Sequence, residues 1–199
     1  MLKRSGAAAL LAAGLFAAAL AGFGSVLEGY SHALHPPAFL GARGVPGAVA
    51  FNLLGFVLPG LLGVAVMGDV RRRLEGARWP ARIGSWLWLL SAFAFALQGL
   101  LPLDPADLDA SRSRLHASAW TVWWLAFVPG GLLLALGLAP TSGWRALRMT
   151  ALTGALLLPL LALSAPLGIS VGVSQRLALT SWFACLVVAG LAAQRRPQP

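Results

Sequence analysis

Long apolar runs, separated by short polar or proline- and glycine-rich connections, repeat along the whole chain. A helix needs about 20 predominantly apolar residues to span the hydrocarbon core of a bilayer. Six runs meet that length, roughly 6–27, 48–68, 83–101, 115–138, 147–166 and 174–193. They are rich in Leu and Ala and lack the strict alternation of barrel strands, so they are predicted to be helices. The connections are short, which leaves room for a single all-α transmembrane bundle of six helices over residues 1–199 and for no separate soluble domain.

The connections carry their own signals. Glu28 to Gly47 is the longest, and Pro36-Pro37 within it favours an extended or turn conformation. Gly41, Gly44, Pro46 and Gly47 break any further element before the second span. Phe39 and Leu40 are expected to fold back onto the bundle. Leu101 to Pro105 ends the third helix sharply, and Asp109 or Ser111 is placed to cap the fourth.

Pro59, Pro129 and Pro159 fall near the middle of helices two, four and five. Each removes a backbone donor and kinks its helix unless neighbours resatisfy the freed carbonyl. Leu54-Gly55-Phe56-Val57-Leu58-Pro59-Gly60 matches Leu125-Ala126-Phe127-Val128-Pro129-Gly130 with one residue skipped, as a duplicated hairpin would. Gly55, Gly60 and Gly63, with Gly130, Gly131 and Gly137, let helices approach closely. They predict that helices two and four lie in the interior.

Composition agrees with the pattern: 58% of residues are hydrophobic and 11% charged, too few to cover a soluble domain of this length. The formal charge of +9 raises nucleic acid as a partner, but its distribution argues against one. Lys3, Arg4, Arg71, Arg72, Arg73, Arg78, Arg82, Arg145, Arg148, Arg195 and Arg196 all fall on one side if the spans alternate. Arg43, Arg112, Arg114 and Arg176 share the other side with Glu28, Asp104, Asp107 and Asp109. This is the positive-inside pattern of a multi-pass protein of the bacterial inner membrane with both termini cytoplasmic. Arg71–Arg73 is first a topology anchor and secondarily a contact for anionic headgroups.

Trp79 and Trp144 are expected at the inner interface, and Trp120, Trp123, Trp124 and Trp182 at the outer interface or the outer third of their helices. Cys185 is the single cysteine, so no internal disulfide forms. Lys3-Arg4, the Ala/Leu run and Ala19-Leu20-Ala21 also read as a signal peptide, but the apolar run continues to Leu27, long for such a segment. An uncleaved first helix is the preferred reading.

Polar residues within the spans gather toward the outer side. Asn52 and Gln98 each lie about one turn below the outer end of their helices, and Thr121, Thr180 and Ser181 nearly two turns in. Glu28, Asp104, His116, Gln175 and Arg176 ring the mouth. An amide facing lipid leaves donors unsatisfied, so Asn52 and Gln98 should point inward.

Three readings follow. The polar groups tie helices together; or they form a pocket for a lipid headgroup or small amphiphile, with Arg176 meeting an anionic group and Trp120 or Trp124 along the wall; or Asp104, His116, Glu28, His32 and His35 carry catalysis or a metal. His116 is the strongest single candidate for chemistry, with Asp104 one short loop upstream to orient its ring. Three histidines, His32, His35 and His116, make a metal site conceivable. No histidine sits at mid-depth, which disfavours haem between helices. No phosphate loop, HExxH or nucleophile elbow occurs, and nothing calls for a cofactor.

The motifs on this side carry a resemblance. Gly29-Tyr30-Ser31, then Phe39-Leu40-Gly41-Ala42 leading into Phe51-Asn52-Leu53, then Leu103-Asp104-Pro105 before Leu115-His116, and Gly172-Val173-Ser174-Gln175-Arg176-Leu177 follow one another along the chain. In this order they resemble the domain-of-unknown-function 998 family of bacterial and archaeal multi-pass membrane proteins. The resemblance covers nearly the whole chain and implies a six-helix architecture with no established activity. It singles out Asn52, Asp104, His116 and Arg176 as matched polar positions. Ala38-Phe39 stands where the family often has Ser-Glu, and Leu103 where it sometimes has cysteine.

The sequence thus predicts a non-enzymatic membrane protein that binds a lipid-like ligand or a membrane partner, including a second copy of itself. The predicted outer pocket uses Asn52, Gln98, His116, Thr121, Arg176 and Trp120. The alternatives are a membrane enzyme or metalloprotein using Asp104 and His116, and a small transporter.

Overall fold

The computed structural model describes residues 4–140, 142–162 and 168–194. They fold into long helices joined by short connections, with no strand among the described residues. The helices are α1 (Arg4–Val26), α2 (Ala48–Arg73), α3 (Trp79–Leu100), α4 (Ser111–Gly137), α5 (Ser142–Ala162) and α6 (Val171–Gln194). A 3₁₀ turn, Pro37–Gly41, lies in the connection between α1 and α2. Five of the six, α1 to α4 and α6, are long and apolar enough to cross a membrane. The fifth predicted span, 147–166, runs past Ala162 onto residues outside those described.

Each helix packs on its neighbours in sequence, α6 closes back onto α1, and α2 also meets α6. Lipid tails are as apolar as leucine, so burial of apolar surface does little to hold such a ring together. Close packing and interhelical hydrogen bonds do more. Glycines supply the close packing: Gly60 lies against Ala96, Gly84 against the Gly130 carbonyl, and Gly190 against Ser5 and Ala9. Side-chain hydrogen bonds also cross between helices. The Trp182 indole donates to Ser91 Oγ at 3.1 Å, the Trp88 indole to the Phe127 carbonyl at 3.0 Å, and Arg148 Nε to the Ala135 carbonyl at 2.8 Å.

The glycines of α2 and α4 mark seams, not wholly interior helices. Leu53, Leu58 and Leu61 of α2 and Leu125, Leu132 and Leu136 of α4 are exposed, whereas α3 and α6 are more completely buried. Trp123 and Trp182 fall near the middle of α4 and α6, deeper than the outer third that the sequence predicts. They are core residues, because Trp182 stacks on Phe95 at 4.9 Å and meets Trp123 at 6.1 Å. Phe56 and Phe183 join this aromatic layer, which fills the middle of the bundle.

Two helix ends differ from the hydropathy pattern for local reasons. α2 continues past residue 68 to Arg73, where Asp69 pairs with Arg72 and Arg73 on the next turn. α4 is capped by neither Asp109 nor Ser111: its N-cap is Ala110, without a side-chain bond. Ser113 does the tying, accepting from the Asp104 N–H at 2.9 Å and donating to the Asp107 carbonyl at 2.9 Å.

The N-cap of α2 is Gly47, whose φ of 76° only glycine adopts readily, and the helix runs through a π turn at Asn52–Val57 just before Pro59. There the Leu58 N–H reaches back five residues to the Leu53 carbonyl. A π turn is a one-residue insertion in an α-helix. It falls where α2 carries one residue more than the matching segment of α4.

Candidate functional site

Polar groups concentrate at the end of the bundle that bears the connections 27–47 and 101–110, here the long-loop end. α3 stops at Leu100, so its last carbonyls lack partners within the helix. His116, in the second turn of α4, supplies one. Its Nδ1 lies 3.2 Å from the Gln98 carbonyl and 2.9 Å from the Leu101 carbonyl. Carbonyl oxygens only accept, so Nδ1 carries the proton. In the neutral ring Nε2 is then an acceptor.

His116 and Gln98 line a cavity of about 200 Å³ with Phe56, Trp120, Gln175 and Leu179, beneath Pro36–Ala38 and Leu103. Gln98 is 1% exposed, and neither its amide nitrogen nor its amide oxygen has a hydrogen-bond partner. Such a group costs about 1–3 kcal/mol while unsatisfied. The aromatic layer of Phe95, Trp123 and Trp182 lies one turn deeper on α3, α4 and α6, beyond the residues that line the cavity.

The next residue on α6, Arg176, turns the other way. Its Nη1 donates to the His35 carbonyl at 2.9 Å and the Gly172 carbonyl at 2.8 Å, and its Nη2 donates to the Tyr30 hydroxyl. Nη2 also lies 3.2 Å from His32 Nδ1. The loop is built for this. Tyr30, His35 and Phe39 stack in succession, and the Ser31 N–H donates to His35 Nδ1 at 2.9 Å. Burial raises the Tyr30 pKa, while the charge of Arg176 and its hydrogen bond pull it back. None of these partners is an anion, and no carboxylate among the described residues pairs with Arg176.

Arg176 and His32 stand at the end of a lateral groove of about 710 Å³ between α1 and α6. Phe16, Ala17 and Leu20 form one wall, and Phe183, Val187 and Val188 the other, with Thr180 near the mouth. From Arg176 to Val188 the groove runs roughly 18 Å along α6.

The single pocket predicted from sequence is therefore divided. Gln98, His116 and Trp120 meet in the cavity, and Arg176 serves the groove on the opposite flank of α6. Asn52 is buried, but its amide donates to the Gly41 carbonyl at 2.8 Å and anchors the 3₁₀ turn to α2. Leu40, beside it, is fully buried, as the fold-back of that loop required. Thr121 is exposed and bonds its own helix at the Ala117 carbonyl. Asp104 forms an ion pair with Arg43 at 3.2 Å, not a pair with His116. His32 and His35 belong to the Arg176 loop and do not line the His116 cavity, and no group of three or more His, Cys, Asp or Glu among the described residues is placed to hold a metal.

At the opposite, arginine-rich end lies a cluster that the sequence reading passed over. Asp69 is 7% exposed and accepts from Ser5 Oγ, from Arg73 Nε at 3.1 Å and from Arg72 at 3.4 Å. The signal was there: one acid followed three and four residues later by arginine.

No family model matches the chain, and no curated protein or solved structure matches it either.

Proposed function

We propose that this chain is a six-span protein of the bacterial inner membrane, with its arginine-rich end cytoplasmic. In this proposal it binds an anionic amphiphile of the outer leaflet, with the headgroup on Arg176 and the chain in the α1–α6 groove. One observation carries the proposal: a guanidinium held only by neutral acceptors stands at the head of a long apolar groove. A half-buried cation without a counter-charge favours an arriving anion. The hydrocarbon core is about 30 Å thick, so a groove of roughly 18 Å matches one leaflet.

The orientation rests on the arginine bias of the connections, which would place the Arg176 end outside. The kinship with the domain-of-unknown-function 998 family is likewise a proposal and rests on the order of the long-loop motifs. An enzyme using Asp104 and His116 has less support, since each is engaged elsewhere. A transport path has less support too, since Phe95, Trp123 and Trp182 are buried and packed on one another in the core.

Purification in mild detergent followed by native mass spectrometry tests the proposal. The expected result is one bound anionic lipid, enriched over its share of the membrane and lost in Arg176→Gln. Bound lipid that mirrors the bulk composition, or that persists unchanged in Arg176→Gln, overturns it.

A further inference from the structure

We infer that the Gln98–His116 cavity is a second, independent binding site, selective for a small neutral molecule with an amide or lactam group. It does not rest on the lipid reading of the groove. The chemistry of the walls defines the ligand. Gln98 offers a donor and an acceptor on one planar group, buried, aimed into the cavity and unpartnered. Amide–amide pairing satisfies both at once. His116 Nε2 makes no hydrogen bond, and Nδ1 is committed to the two carbonyls at the end of α3. The ring therefore adds a fixed acceptor. Gln175 adds a second carboxamide at the rim.

Among the described residues no carboxylate, lysine or arginine lines the space, so a charged ligand would be buried without compensation. Phe56, Trp120 and the Pro36-Pro37 rim supply flat apolar surface, which suits a planar group better than a puckered polyol. At about 200 Å³ the cavity is smaller than the roughly 300–1,000 Å³ of sites for drug-sized ligands. It suits a molecule the size of one small ring.

The state of Gln98 sets it apart from the amides that hold the fold. Asn52, the other buried amide, has its partner in the Gly41 carbonyl, whereas Gln98 has none from any helix around it. An amide serving as interhelical glue would be bonded across the seam. Gln98 is placed for a partner that the described residues do not supply.

The test uses the full-length protein in detergent and ligand-observed saturation-transfer NMR. The probes are 2-pyrrolidinone, uracil and acetamide, with glycerol and acetate as controls. Binding of the lactam-type probes over both controls is expected, weakened at least about tenfold in Gln98→Leu. Thr121→Val, on the exposed face of α4, is expected to bind as the wild type does. Gln98→Leu is also expected to melt no lower than wild type, since an apolar side chain replaces an unsatisfied one. Gln98→Met, nearer in shape, repeats the measurement if the leucine variant does not fold. The inference is overturned if no probe binds the wild type, which leaves water as the occupant, if glycerol binds as well as the lactams, or if the Gln98 variants bind unchanged.

Discussion

The hydroxyl of Tyr30 accepts a hydrogen bond from the guanidinium of Arg176, joining the first long connection to α6 across 146 residues of sequence. The same guanidinium sits over the Tyr30 ring at 5.8 Å. Burial outweighs the pull of Arg176 and raises the phenol pKa above its ordinary value of 10.0. Tyr30 is the single tyrosine of the chain, so its ionisation is read directly from absorbance near 295 nm. A raised pKa means that the neutral phenol stabilises the docked loop fully below pH 10. That contribution is lost as pH rises through the raised value. Arg176→Gln removes the opposing influence, and the ionisation should move higher still. Ionisation at or below the ordinary value in the wild type, or a downward move in the variant, contradicts this account.

Asn52 holds the other side of the same connection. Its amide is the partner of the Gly41 carbonyl, and a Cβ at Gly41 would collide with Asn52 Oδ1. Asn52→Leu should cost about 1–3 kcal/mol, the penalty for leaving a buried carbonyl unpaired. Gly41→Ala should have a similar effect by pushing the amide away. Hydrogen exchange over residues 37–45 measures both, with faster exchange expected there and little change in α3 to α6. Unchanged exchange would show that the turn docks without this bond.

Much of this arrangement was legible in the sequence, and what was not has a geometric cause. The apolar runs gave the helices because spanning length is a strong constraint. The cost of a lipid-facing amide turned Asn52 and Gln98 inward. Sharing a depth is weaker than sharing a face. Successive residues of an α-helix are turned by about 100°. His116 and Trp120 are four apart and line one cavity, as are Gln175 and Leu179, whereas Thr121 and Arg176 are one residue further on and face away. That spacing could have been used. The π turn left a fainter mark, the one residue by which α2 exceeds the matching segment of α4, and it shifts the face of α2 by one residue.

The α3–α4 seam offers a packing prediction. A Cβ on Gly84 would come within 2.6 Å of the Gly130 carbonyl oxygen and 2.8 Å of the Leu134 nitrogen, both backbone atoms that cannot move alone. Gly84→Ala should therefore destabilise by about 1–3 kcal/mol, the usual cost of overpacking. Gly14→Ala, where the added Cβ meets nothing within 4 Å, should be neutral or slightly stabilising. Unfolding in mixed detergent, followed by tryptophan fluorescence, compares the two. Equal behaviour would mean that the seam relaxes freely.

At the arginine-rich end, the Asp69 carboxylate is shared by Ser5 on α1 and by Arg72 and Arg73 on its own helix. It thereby fastens the start of α1 to the end of α2. Removing one member of a buried charge cluster is far more costly than losing an exposed pair. Asp69→Ala should cost about 3 kcal/mol, the low end for a buried pair because the Arg72 side chain is largely exposed. The neighbouring pair Arg71–Glu75 is long, at 4.0 Å, and Glu75 is 63% exposed. Glu75→Ala should therefore change stability by no more than about 0.5 kcal/mol. Asp69→Asn separates charge from hydrogen bonding. It retains an acceptor for Ser5 and should fall between wild type and the alanine variant. If Asp69→Ala unfolds no earlier than Glu75→Ala in the same detergent assay, the cluster is a solvated face and the α1–α2 fastening must lie in the apolar contacts above it.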